Sequence, residues 1–279
     1  MGCTATHECT WSARHRPSRL DGPGWQTARS MLEREGMNAR DDKPPAAHDT
    51  TAPDAADGPR ITQAMEDYLK AIYRLAGDRD HVTMQHLAEE LRFSAPSVTN
   101  MVKRLHELEL VRHTRYRDVA LTPAGEKIAL RVIRHHRLLE LYLTESLGYD
   151  WDQVHAEAER LEHHVSDELE ARIASALGHP THDPHGDPIP SVDGAIDTVS
   201  SLVLADLEAG DVATISRVPD RDPEQLRYLG ELGVIPGAIV TVLEKLPFDG
   251  PIRAQVGADE HLFGRPLAAR INVAPRPPN

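Results

Sequence analysis

The chain has 279 residues, 40% of them apolar, sixteen histidines and a formal net charge of −13, which suffices for two compact domains or three small ones with ordinary cores. The longest apolar runs, such as Leu202-Val203-Leu204-Ala205, fall far short of the roughly 20 residues of a membrane span, and Met1 to Thr10 hold no apolar signal segment, so no membrane partner is expected and the expected compartment is the cytoplasm. Both cysteines, Cys3 and Cys9, stand in this leading segment, which excludes a disulfide framework and leaves any metal chemistry to oxygen and nitrogen; the acidic whole excludes nucleic-acid binding over the entire surface but not through a local basic patch.

Residues 1–60 mix Gly, Pro, Ala, Asp and Thr without periodicity and read as a disordered tail. From Ile61 the residues Met65, Tyr68, Leu69, Ile72 and Leu75 recur at helical spacing, with Gly77 as the expected stop. Thr83 is placed to cap a short helix through Leu87 and Leu91, and Ser94 a third with Val98, Met101, Val102 and Leu105. Alternation over Arg112 to Leu121 suggests a small hairpin, and Thr122-Pro123 opens the next helix as cap and first residue. Helices are predicted through Leu177, interrupted at Leu147-Gly148-Tyr149-Asp150, the last running from Trp151 to Leu177. The proline-rich run His182 to Pro190 is a linker or an ordered loop, and the β-branched runs after Leu202 form a small β-barrel. The fold class is therefore mainly α with a small β domain: a winged helix-turn-helix over 61–125, a helical domain over 126–180, a linker over 181–203 and a β domain over 204–275.

Two short helices joined by Arg92-Phe93-Ser94 and followed by a basic hairpin have the layout in which the second helix enters the major groove of double-stranded DNA. Ser94, Pro96, Ser97, Thr99 and Asn100 would face the bases and phosphates, flanked by Arg92, Lys103, Arg104, Arg112, Arg115 and Arg117. This local cationic excess lets phosphate contacts supply affinity while the rest of the surface stays anionic. A helical packing module with merely solvated arginines is the alternative.

His155, Glu159, Glu162 and His163 fall on one stripe of the predicted last helix, and His136 and Glu140 lie four apart on the preceding one. Two such stripes facing each other supply six hard or borderline donors, which suit Mn²⁺, Fe²⁺, Zn²⁺ or Co²⁺. By phase, the adjacent His135 and His164 should point away. His179, His182 and His185 offer another cluster for a second metal site, although the prolines between them suggest a loop. A di-metal carboxylate enzyme and a metal-independent regulator with a structural polar network are alternatives at this point, and no catalytic triad, phosphate-binding glycine loop or cysteine-based zinc site has the required spacing.

From Ile61 to about Val273 the chain resembles the diphtheria toxin repressor and manganese transport regulator family, in the three-domain form that ends in an SH3-like domain. The resemblance rests on Glu66 to Tyr73, Ser94-Ala95-Pro96-Ser97-Val98-Thr99, His135 to Glu140, Glu159 to His163 with Val165-Ser166-Asp167, and Gly186 to Pro190. It implies a metal-dependent transcriptional repressor, not an enzyme, that acts as a homodimer on a DNA operator controlling metal-uptake genes. It further implies a primary metal site at Asp67, Glu159, Glu162 and His163, and an ancillary one at His136, Glu140 and His155, completed by Asp222 and Gln225 of the third domain. Iron-responsive members carry Met and Cys where this chain has Asp67 and Glu159, whereas manganese-responsive members carry carboxylates, so Mn²⁺ is the expected cofactor, with Fe²⁺ the alternative. One departure stands out: short manganese regulators carry Glu where this chain has Lys70.

Overall fold

The computed structural model describes residues 61–113, 118–197 and 201–276; the expected tail, Arg115 and Arg117 lie outside the described residues. Helix α1 (Gln63–Asp78) begins where the Thr62 hydroxyl accepts from Met65 N at 3.4 Å, and it passes through Gly77 before ending. Met65, Tyr68, Leu69, Ile72 and Leu75 are all buried, as their spacing requires. Helix α2 (Met84–Leu91) opens with a reciprocal Thr83–His86 cap, and α3 (Ala95–Glu107) buries Val98, Val102 and Leu105. Strands β1 (Val111–His113) and β2 (Val119–Leu121) pair antiparallel, with Val111 opposite Leu121, and pack with the three helices in one core.

Helix α4 (Pro123–Leu147) starts at the Thr122 cap. Its second residue past Pro123 must be glycine: a Cβ on Gly125 would fall 2.0 Å from the Leu110 carbonyl oxygen. The helix is buried along much of its length, including His135, His136 and Glu140. Trp151 to Leu177 is not one helix. It divides into α5 (Val154–Leu161), a 3₁₀ turn (Glu162–His164) and α6 (Asp167–Ala176). Val165 is extended, and the Ser166 hydroxyl caps a fresh helix by accepting from Leu169 N at 3.3 Å.

The stretch expected as a linker or an ordered loop is an ordered loop over 181–190 and folds back into the interior. His182 bridges Pro188, and Asp183, His185, Asp187 and Ile189 are buried. Asp187 is clasped from both sides, by Arg137 of α4 at 3.0 Å and by Arg217 at 2.8 Å. Gly186 makes the turn at φ 90°, where a Cβ would meet the Ser216 carbonyl oxygen at 2.0 Å.

The last domain is a five-stranded antiparallel sheet in the order β6-β5-β4-β3-β7, built from β3 (Val212–Arg217), β4 (Ile239–Lys245), β5 (Ile252–Val256), β6 (Asp259–Phe263) and β7 (Asn272–Pro275). Helix α7 (Pro223–Glu231) and the short α8 (Arg265–Ala268) close its core around Phe263, Leu226 and Leu229. No helix among the described residues is long and apolar enough to cross a membrane.

Candidate metal centre

Three elements meet at one polar cluster. Helix α1 contributes Glu66, Asp67 and Lys70, α4 contributes His136 and Glu140, and α5 with its 3₁₀ turn contributes His155, Glu159, Glu162 and His163. The tight 3₁₀ turn brings Glu162 and His163 together facing α1. His163 donates from Nδ1 to Glu66 at 2.7 Å and from Nε2 to Asp67 at 2.8 Å, with Glu162 Oε1 3.4 Å away. The Lys70 ammonium donates to Glu159 Oε1 at 2.7 Å and to both oxygens of Glu162 at 2.7 and 2.8 Å. His136 donates to Glu162 at 2.6 Å through Nδ1 and lies 2.9 Å from Glu140 Oε1 through Nε2, while His155 donates to the same Glu140 oxygen at 3.0 Å.

Donor atoms of Asp67, Glu162 and His163 lie within 4.8 Å of one another, as do those of His136, Glu159 and Glu162, of His136, Glu140 and His155, and of Glu140, Asp183 and His185. Seven of the predicted metal-binding residues are thus brought together: Asp67, His136, Glu140, His155, Glu159, Glu162 and His163. His164 is exposed and pairs with Gln63, as its phase predicts. His135 is buried behind the cluster, donating to the Glu162 carbonyl and to Glu170, both at 3.0 Å.

Asp222 differs from expectation. It is exposed and spends Oδ1 on the N-cap of α7, accepting from Glu224 N at 3.0 Å and Gln225 N at 3.3 Å, and it belongs to none of these donor groups. Gln225 is half-buried, with Oε1 lacking a hydrogen-bond partner among the described residues. Two residues before Asp222, burial and the Glu140 charge push the Asp220 carboxyl up, but Arg74, His155 and His185 hold it below the usual carboxylate range.

Sequence reasoning also passed over Asp183 and singled out His185 only as one of three loop histidines. His179 and His182 are exposed, but His185 is fully buried; its Nε2 donates to the Trp151 carbonyl at 2.9 Å and its Nδ1 faces Glu140 Oε2 at 3.9 Å. Asp183 Oδ1 accepts from the backbone of His185 and Asp187, both at 2.9 Å. Glu140 Oε2, Asp183 Oδ2 and His185 Nδ1 are all buried without a hydrogen-bond partner among the described residues. Buried polar atoms are rarely left so, and two carboxylate oxygens with an imidazole nitrogen are a donor set that a divalent cation satisfies. The available signal was Gly186, whose required turn folds the Asp183–His185 segment inward.

The electrostatics point the same way. Burial pushes the Asp183 carboxyl well above the usual carboxylate range, and the neighbouring Glu140 and Asp187 add to it. Burial opposes ionisation of Glu140 too, but the His136 charge and the hydrogen bonds from His136 and His155 hold it well below. Burial would also raise Glu159, yet Lys70 and His136 bring it down to about 2. Hydrogen bonds to Asp67 and Glu66 lift His163 to about 10, and His136 is raised, Glu140 outweighing the burial that opposes its protonation. His163 is therefore held as a cation where a metal would take its place as counter-charge.

The other functional face is α3 and its approach. Arg92, Ser94, Pro96, Ser97, Thr99, Asn100, Lys103 and Arg104 are all exposed, on the side opposite Val98, Val102 and Leu105. Arg92 adopts the left-handed conformation that ends α2 at φ 55°, and the Thr99 hydroxyl donates back to the Ala95 carbonyl at 2.8 Å. This leaves a short-chained polar surface on a helix backed by its own core, suited to close approach.

Family models match nearly the whole described chain in three consecutive pieces: "Iron dependent repressor, N-terminal DNA binding domain" over residues 60–119, "Iron dependent repressor, metal binding and dimerisation domain" over 122–191, and "FeoA domain" over 202–275. The chain is similar to the iron-dependent repressor IdeR of Mycobacterium tuberculosis, with 33% identity over 225 residues that cover 76% of this chain and 97% of the relative. Among solved structures it is similar to a manganese-dependent transcriptional repressor in complex with manganese, with a TM-score of 0.70, 40% identity and coverage of 76% and 100%. It is also similar to the crystal structure of ScaR with bound Cd²⁺, with a TM-score of 0.67, 32% identity and coverage of 76% and 99%. These likenesses displace the enzyme alternative, because what they have in common is DNA binding under metal control. With its winged helix-turn-helix, its metal-binding and dimerisation domain and its C-terminal FeoA domain in that order, the chain belongs to the iron-dependent repressor family of metal-dependent, DNA-binding transcriptional repressors.

Proposed function

We propose that this chain is a Mn²⁺-responsive repressor of metal-uptake genes that binds its DNA operator as a homodimer in the cytoplasm. The observation that carries the reading is the Asp67–Glu162–His163 group, because it joins α1 of the DNA-reading domain to the helical domain through donors alone. Asp67, Glu159, Glu162 and His163 hold one ion. Glu140, with His136 and His155 on one side and Asp183 and His185 on the other, holds a second. When bound, the metal supplies a charge that draws carboxylates from both domains to one point. The chain's own residues do the rest: Asp67 and Glu66 fix the angle of α1, and Val98, Val102 and Leu105 seat α3 on the same core, so Ser97, Thr99, Asn100, Lys103 and Arg104 move with it. In a two-fold dimer, two such helices match half-sites about one helical turn apart only at one angle. Asp222 spends one oxygen on its cap, whereas Gln225, whose buried Oε1 has no hydrogen-bond partner among the described residues, remains available as a third-domain ligand in this reading.

Oxygen donors at positions 67 and 159, with no thiolate, favour the harder ion and hence manganese. Iron is the second reading, supported by the likeness to relatives named as iron-dependent. Titration of Mn²⁺, and of Fe²⁺ without oxygen, into the protein with its promoter DNA at fixed salt separates them. Binding that rises with metal, collapses with chelator and is lost in Glu159→Ala supports the sensor, and the ion effective at the lower concentration is its effector. Binding indifferent to both ions overturns it.

A further inference from the structure

The departure at Lys70 has a structural counterpart. Lysines are almost never buried unless paired, yet Lys70 is 4% exposed on α1, with its three ammonium hydrogens matched by three carboxylate contacts at 2.7 to 2.8 Å. Two of these go to Glu162, which is completely buried and shared by two of the donor groups that can hold a cation. The ammonium thus sits on the carboxylate that both groups require. Arg74, the next cation, stays 3.9 Å from Glu159. Lys70 also lines a cleft of about 850 Å³ that runs past Asp67, Arg74, His155, Glu159 and Arg221, so its flexible four-carbon stem has space into which to withdraw.

We propose that Lys70 is a tethered counter-cation, which a divalent ion must displace from Glu159 and Glu162, so that this side chain sets the metal concentration at which the centre fills. The proposal rests on the metal-sensing reading above and concerns its regulation. Without metal, the ammonium neutralises Glu162 and keeps the helical domain and α1 together, which a buried carboxylate would otherwise oppose. With metal, two cations compete for one carboxylate and repel each other in a poorly screened interior. The consequence is a centre that stays folded at low metal and responds only above a threshold.

Equilibrium dialysis of Mn²⁺ against the full chain, without DNA, tests this on the wild type and on Lys70→Met. The dissociation constant of the variant is expected to fall about tenfold, while the metal-free variant melts at a lower temperature and gains more from Mn²⁺ than the wild type does. Unchanged or weaker binding by a variant that is folded by circular dichroism overturns the proposal and leaves the sensor reading intact. If the variant does not fold, the wild type decides: a short pulse of acetic anhydride read by mass spectrometry is expected to modify Lys70 several times faster with saturating Mn²⁺, and an unchanged rate overturns the proposal. A wild type that binds no Mn²⁺ overturns both.

Discussion

The polar interior has two halves that share Glu140 and His136 but balance charge differently. Around Glu159 and Glu162, on the side of α1, the carboxylate oxygens meet Lys70, His136 and His163, and Glu159 is held down at about 2. Around Glu140, Asp183 and His185, on the side of the third domain, three buried donor atoms have no hydrogen-bond partner among the described residues and Asp183 is driven well above the usual range, although Arg137 stands 3.7 Å away. In the first half Lys70 is hydrogen-bonded to both carboxylates, whereas in the second Arg137, at that distance, leaves Asp183 Oδ2 and Glu140 Oε2 without a hydrogen bond. One chain can thus couple metal to the DNA-reading domain through a thresholded group and to the third domain through a group with three donor atoms open to a cation.

Glu162→Ala attacks the first half and should act most strongly. It removes a shared ligand and leaves Lys70 buried with one of its three carboxylate contacts, so Mn²⁺ affinity should fall by about 100-fold or more and stability by about 3–5 kcal/mol, read by dialysis and urea unfolding. Affinity within twofold of wild type would break the comparison. His185→Ala attacks the second half alone. Tightly bound Mn²⁺, counted by elemental analysis, should drop by one ion per chain, with the remaining ion still sensitive to Glu159→Ala.

Proton competition sharpens the contrast. His163 is raised from 6.5 to about 10 by Asp67 and Glu66, so its contribution to the metal-free fold is complete below about 6.5 and is lost as pH rises through about 10. Metal needs the neutral ring, so each ion bound there at neutral pH releases a proton and Mn²⁺ affinity should rise up to about tenfold per pH unit between these limits. In His163→Gln this slope should flatten. The smallest effect belongs to the surface. Arg227 donates to Asp152 at 2.8 Å from a side chain that is 57% exposed, so Arg227→Ala should cost less than about 1 kcal/mol in thermal unfolding and leave both metal affinities unchanged.

The sequence disclosed what periodicity encodes. The buried faces of α1 and α3 follow from Met65 to Leu75 and from Val98 to Leu105, and His136/Glu140 and His155/Glu159 follow from spacing along single helices. What it concealed depends on chain reversals. Asp183 and His185 join Glu140 because Gly186 turns the loop inward, Trp151 to Leu177 breaks because Ser166 caps a new helix, and Asp222 is taken by a cap. Strand β6, Asp259–Phe263, was missed because it is a polar edge strand without β-branched residues.

Anomalous scattering from crystals of the full chain grown with Mn²⁺ locates the ions directly. Two peaks per chain are expected, one bonded to Asp67, Glu159, Glu162 and His163 with the Lys70 amine withdrawn, the other bonded to Glu140. No peak at either group, or one at Glu162 with Lys70 still holding both of its oxygens, would contradict the division of the interior into a thresholded half and an open one.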